Sequence, residues 1–348
     1  MEIVASPFRG ASRQIVLPED VPFPSTDAAR PLDLIRRCPK AGKTPLTGLP
    51  NLAKSLRLAE ILVKDERDRM GLGSFKALGA AYVIAQDAQE GRARGTTYVT
   101  ASAGNHGLSV AAGAQAFKAN AVVYIAETVP ETFAGRLRDL GAKVVREGRS
   151  YEFSMAAAQQ AARDNGWTLL SDSSWPGYVD PPYLVMEGYL VLMAEVFGQI
   201  AEPPTHVFLQ AGVGGLAAAS AALARDRWGD DPIIVVVEPE FALALTESIR
   251  AESPIVSRGP VSAMGRLDCK EPSLIALKGL ARDADLFATI SEEEGEKGAA
   301  VARQVGLHST PSGAAGLAAL LAAEPHRAEL GLTGDSRVLI ILSEGAER

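Results

Sequence analysis

From about residue 60 onward, short β-rich runs alternate with Ala-rich stretches, and this alternation constrains the fold more than any other feature of the chain. The runs are Ile61 to Lys64, Tyr98 to Ala101, Ala121 to Ala126, Lys143 to Arg146, Val207 to Gln210, Ile233 to Glu238 and Val338 to Ser343. Each has the length of a strand, and the stretches between them have the small-residue content of packed helices. Strands separated by such crossovers pair in parallel, and parallel sheets are covered on both faces. The pattern therefore predicts an α/β protein, a three-layer parallel-sheet fold. A helix is expected between Ser150 and Asp164, where Phe153, Ala157 and Ala161 recur and Asn165-Gly166 supplies a stop. The first fifty residues differ: Pro18, Pro22, Pro24, Pro31 and Pro39 predict an irregular arm.

At 348 residues the chain exceeds what one compact core usually holds, so two lobes are expected. A net charge of −7 with no long Lys/Arg block argues against nucleic acid or an anionic membrane as main partner and favours a small molecule. Cys38 and Cys269 are too few for a disulfide framework, and no Cys-x-x-Cys spacing suggests a metal. With a start that lacks the charged and apolar regions of a signal peptide, these features predict a cytoplasmic protein. The Ala-rich runs from Leu216 to Ala224 and from Gly313 to Ala323 fall short of a membrane span and read as packed helices.

Three loops carry candidate chemistry. In Gly73-Ser74-Phe75-Lys76-Ala77-Leu78-Gly79-Ala80, a lysine among small residues and one aromatic opens a helical stretch. Burial there lowers an amine's pKa from roughly 10.4 and leaves a nucleophile able to form Schiff bases. The second loop, Ser102-Ala103-Gly104-Asn105-His106-Gly107, joins a strand to the expected helix Leu108 to Phe117, where backbone N–H groups suit a substrate carboxylate. Asn105 and His106 could equally cap that helix. The third, Gln210-Ala211-Gly212-Val213-Gly214-Gly215-Leu216-Ala217, suits a phosphate cradle of main-chain donors.

The third loop also admits a rival. Gly212-x-Gly214-x-x-Ala217 matches a dinucleotide fingerprint, and Glu238 ends the next strand where a ribose-binding acid would stand. A nicotinamide-dependent oxidoreductase follows from that window alone. It leaves Lys76 and Asn105 without a task, and Gly214-Gly215 suits a compact monophosphate as well.

Taken together, the Lys76, Asn105 and Gly212 loops resemble those of the tryptophan synthase β, or fold type II, superfamily of pyridoxal-phosphate enzymes. Within it, Met70 to Lys76, Asp172-Ser173-Ser174-Trp175-Pro176-Gly177-Tyr178 and Met264 to Ser273 look most like the diaminopropionate ammonia-lyases. The resemblance, running from about Thr44 to Gly345, implies pyridoxal 5'-phosphate as cofactor and a homodimer. It implies that Lys76 forms the internal imine beside Phe75, that Asn105 meets the cofactor's phenolic oxygen, and that Gly212, Val213, Gly214 and Gly215 hold the phosphate. Ser343 would face the pyridine nitrogen, with Glu344 its rival for that position. Ser102, Ala103, Gly104 and His106 would bind substrate. Asp172 would act as an acid near the leaving group, or else cap a turn. Ala103 departs from the family, which carries an aspartate there tied to proton abstraction from the D-substrate, so an L-substrate with Lys76 as base is expected.

The function implied is α,β-elimination of ammonia from a small L-amino acid such as 2,3-diaminopropionate. An L-serine or L-threonine dehydratase, or a lyase for another β-substituted amino acid such as 3-hydroxyaspartate, is the alternative. The expected division is a large lobe from residues 1–84 and 193–348 with a smaller lobe, 85–192, inserted. Asp65, Glu66 and Asp68, interleaved with Lys64, Arg67 and Arg69, read as a solvated, salt-paired turn, Cys269 as an incidental thiol, and His206, His308 and His326 as structural residues.

Overall fold

The computed structural model describes residues 1–346. Its strands are β1 (Glu2–Ala5), β2 (Leu46–Gly48), β3 (Glu60–Asp65), β4 (Thr97–Ala101), β5 (Asn120–Ile125), β6 (Lys143–Arg146), β7 (Thr168–Leu169), β8 (His206–Gln210), β9 (Ile233–Pro239), β10 (Leu286–Ile290) and β11 (Arg337–Leu342). Among the described residues they form a seven-stranded sheet ordered β1-β10-β9-β8-β11-β3-β2 and a four-stranded sheet ordered β6-β5-β4-β7. The five inner strands of the large sheet run parallel, with β1 and β2 antiparallel at its edges. The small sheet is wholly parallel. Both faces of the large sheet are covered: along β11, Leu339 and Ile341 enter one core while Val338, Ile340 and Leu342 enter the other. That is the double burial expected of helical crossovers.

All seven predicted runs are strands. The helix Tyr151–Asn165 ends at Gly166 with φ 65°, the left-handed stop that its sequence predicts. Two expectations need correction. The arm contains a helix, Ala29–Arg36, with Pro31 in its first turn, where no intrahelical N–H is lost. The turn after β3 is not solvated: Lys64, Glu66 and Arg69 are buried. Arg69 binds Glu66 at 2.7 Å and Glu195 at 2.8 Å, and Lys64 binds Glu195 at 2.7 Å. Glu195 lies on the helix Asp180–Phe197, so the charge that dries this turn comes from a distant part of the chain.

That helix also crosses Lys76–Gln89 at a glycine-on-glycine contact. A Cβ on Gly188 would stand 2.6 Å from the Leu78 carbonyl oxygen and 2.9 Å from Gly79 Cα. The anticipated lobe limits, 84/85 and 192/193, fall inside these two helices. No helix among the described residues is long and apolar enough to cross a membrane.

Candidate active site

Lys76 is the first residue of its helix, and its Nζ lies 2.5 Å from Asp172 Oδ2. The Phe75 ring centre is 5.2 Å from Nζ and that of Tyr189 is 5.6 Å away. Burial opposes charge on this amine, yet Asp172 and then Tyr189 outweigh it and hold the pKa above the ordinary lysine value. The expected neutral amine is therefore corrected to an ion pair. Asp172 responds in kind: burial works against its ionised form, but Lys76 and His106 drive its carboxyl below the usual range. Paired with the Lys76 ammonium in this way, the Asp172 carboxyl is ionised rather than poised as a proton donor. In this pair the proton is on the lysine.

Beside them, β8 ends and the helix Gly215–Trp228 begins. Gly214 has φ 98°, a conformation that disfavours any side chain. The turn thus brings the unpaired N–H groups of a helix start close to the surface they face. Two segments close over it. A Cβ on Gly212 would lie 3.0 Å from Cys269 Sγ and 3.2 Å from Leu267 Cα, while Ser273 N–H donates to the Val213 carbonyl at 3.0 Å. Ser174 Oγ and Ser273 Oγ are 2.8 Å apart, and Ile275 N–H donates to Ser174 Oγ at 3.0 Å. The stretches around Asp172 and Met264 to Ser273, far apart in sequence, are thus latched together across the glycine loop. Burial, then Asp172, pushes the Cys269 thiol up to about 12, so it is no nucleophile at neutral pH.

The Ser102–Gly107 loop is organised differently from the prediction. Ser102 Oγ accepts from Gly104 N–H at 3.2 Å and from Gly107 N–H at 3.0 Å. Two donors expected for a carboxylate are therefore satisfied within the loop. His106 is buried and its Nε2 lies 2.9 Å from the Leu170 carbonyl, so it ties the helix Asn105–Ala116 to the interior rather than facing substrate. Burial lowers its pKa and keeps it neutral. The Asn105 amide donates to Glu344, which also receives the Thr310 hydroxyl and lies 3.7 Å from Arg266. Ser343 is buried behind it, its carbonyl accepting from Phe75 N–H at 3.1 Å. Glu344, not Ser343, is the side chain that meets Asn105.

A cleft of about 320 Å³ opens in front of Asn105 and Glu344, bordered by Arg67, Arg136, Arg266 and His308. A neighbouring chamber of about 380 Å³ shares Arg136 and Arg266 and reaches Ala103. Lys76 and the glycine loop lie outside both linings. Arg266 reaches the second loop, its Nη1 donating to the Ala103 carbonyl at 3.3 Å. Sequence reasoning missed Arg266, Tyr189 and Tyr151. Tyr151 has half its surface open, but its hydroxyl end is buried, and that burial, followed by the charge of Asp172, raises its pKa. Arg266 lies within the Met264–Ser273 segment that carries the resemblance but was given no role there, and the two tyrosines stand in no motif. Glu238 was singled out for a ribose, but its carboxylate is occupied: Leu245 N–H and Thr246 N–H donate to it at 2.8 Å, and Thr246 Oγ1 at 2.6 Å.

A half-buried lysine amine, a glycine turn opening a helix and the buried Tyr189 hydroxyl beside that amine together fit a group with one carbonyl and one phosphate. The model of the pyridoxal-phosphate dependent enzyme family matches residues 38–344. The chain belongs to that family. It is 31% identical over 334 residues to the diaminopropionate ammonia-lyase of Escherichia coli (strain K12), which spans 87% of this chain and 84% of the relative. It is 32% identical over 206 residues to the threonine dehydratase of Nicotiana attenuata, but across only 59% of this chain and 32% of that protein. The structure of the Escherichia coli ammonia lyase in complex with D-serine superposes with a TM-score of 0.90 at 28% identity, over 99% of this chain and 93% of that one. Processed threonine deaminase isoform 2 from Solanum lycopersicum shares the fold, with a TM-score of 0.80 at 20% identity over 100% and 95% of the two chains. As a member of this family the protein is a pyridoxal-phosphate-dependent lyase, and the nicotinamide reading falls with its ribose acid already engaged.

Proposed function

We propose that the protein eliminates ammonia from L-2,3-diaminopropionate, giving pyruvate and a second ammonia after hydrolysis. The observation that carries this reading is the Lys76–Asp172 pair, 2.5 Å apart beside the glycine loop, in a chain 31% identical to the Escherichia coli diaminopropionate ammonia-lyase. Pyridoxal phosphate, when bound, supplies an electron sink for the α-carbanion. Lys76 would bear the cofactor, with the first N–H groups of the Gly215–Trp228 helix and the Gly212–Gly215 turn holding its phosphate and Asn105 the ring substituents.

With its amine free and uncharged, Lys76 would be the base that takes the α-proton. Asp172 then stabilises the resulting ammonium, and that ammonium returns the proton to the departing amine. Ala103 offers no base on the opposite side, which favours the L-isomer. The same reading takes residues 85–192 as a lobe that closes to exclude water and the protein as a cytoplasmic homodimer. Ala103 also favours a second reading, a serine or threonine dehydratase.

The deciding assay measures keto acid and ammonia from L- and D-2,3-diaminopropionate, L-serine and L-threonine. Two ammonia per pyruvate from the L-diamine, with little from the others, supports the lyase. Turnover confined to the hydroxy acids would replace it with the dehydratase. Lys76→Ala is expected to lose both the visible absorbance of lysine-bound cofactor and all turnover, and full activity would refute the scheme.

A further inference from the structure

Tyr189 is 1% exposed, and its ring packs edge-on against Phe75 with centroids 4.9 Å apart. It is clamped on both sides. A Cβ on Gly79 would stand 2.7 Å from Tyr189 Cε1, and one on Gly215 3.6 Å from Cε2. The ring therefore bridges the first turn of the lysine helix and the glycine loop. Its hydroxyl makes no well-formed hydrogen bond among the described residues, yet it lies close enough to Lys76 for each to act on the other's charge. A buried phenol usually finds a hydrogen-bond partner, and leaving it unpaired costs free energy that phenylalanine, filling the same space, would avoid.

We propose that Tyr189 is a positioning residue for Lys76. Its hydroxyl receives a hydrogen bond from the lysine nitrogen when that nitrogen is charged and has moved off Asp172, and donates to it when it is neutral. This rests on Lys76 being the cofactor-bearing lysine. Asp172 holds Nζ at 2.5 Å, and the Tyr189 ring, 5.6 Å from Nζ and packed between the lysine helix and the glycine loop, would offer the next hydroxyl to that nitrogen when it leaves Asp172. The other titratable groups around Nζ are Asp172, Cys269 and His106. Of these, His106 is engaged with Leu170 and Cys269 keeps its proton.

The test is Tyr189→Phe in the holoenzyme, read by the visible absorbance of lysine-bound pyridoxal phosphate against pH. Losing a hydrogen bond to a charged nitrogen is expected to lower the midpoint of that titration by about one pH unit. kcat should fall about tenfold with KM held within about twofold, while the melting temperature stays level or rises. An unchanged midpoint with the visible band intact overturns the proposal. So does a variant that no longer folds, since the hydroxyl would then be supporting the core. A wild-type protein with no visible band would instead refute the assignment of Lys76, and this inference with it.

Discussion

Asp172 illustrates how far a single residue's role depends on one contact. In isolation its sequence surroundings allow a proton donor or a turn cap; 2.5 Å from Lys76 its carboxylate is instead the counter-ion of the ammonium. Its work is to stabilise positive charge on the lysine whenever the α-proton resides there. Asp172→Asn keeps the shape and removes the charge, so kcat is expected to drop about 10²- to 10³-fold while the cofactor's visible band persists. Steady-state kinetics beside an absorbance spectrum check both halves. Lys76, Asn105 and the glycine loop could be found from sequence because small residues at a strand-to-helix turn leave a local mark. The partner that sets the lysine's charge, 96 residues away, leaves none. Likewise Tyr189 looks like any aromatic on a buried helix, and Ser343 and Glu344, adjacent in sequence, cannot be told apart until the strand end is placed.

At the scale of elements, hydrophobic periodicity located four of the five inner strands of the large sheet, β3, β8, β9 and β11, since a fully buried parallel strand is largely apolar. It did not reveal β1, β2 or β7, which are two to four residues long and exist through pairing. β10 was also missed, a five-residue run between acidic neighbours. Glu238 shows a motif-like acid doing an element's work, since it caps the start of the helix Ala244–Ala251. Burial outweighs its three donors and lifts its pKa from 4.5 to about 7. The unfolded chain thus releases this proton at a lower pH than the folded one. Stability from this group is present at low pH and is lost as pH rises from about 4.5 towards 7. Urea midpoints at pH 5, 6 and 7.5 should fall in that order, and Glu238→Gln should flatten the series.

Across the whole molecule, the buried charges beneath β3 join three distant segments. Lys64 Nζ donates to the Thr44 carbonyl at 2.8 Å and to Glu195, and Arg69 reaches Gly42 O at 3.0 Å as well as Glu195. The arm, the turn that leads to Lys76 and the Asp180–Phe197 helix therefore form one unit. Removing one partner of a buried pair leaves an uncompensated charge, and Glu195→Ala is expected to cost about 3–5 kcal/mol, measurable by denaturant unfolding. The glycine-on-glycine crossing of the two helices has a separate consequence. Because Gly79 and Gly188 meet backbone to backbone, no side chain is available there to be enlarged or trimmed, and the wall bearing Lys76 and Tyr189 offers little room for evolutionary adjustment. Changes of substrate must then arise on the opposite wall, in the Ser102–Gly107 loop and the Met264–Ser273 segment, where Ala103 and Arg266 already face each other. Divergence within such a scaffold would conserve the reaction and vary the molecule it acts on.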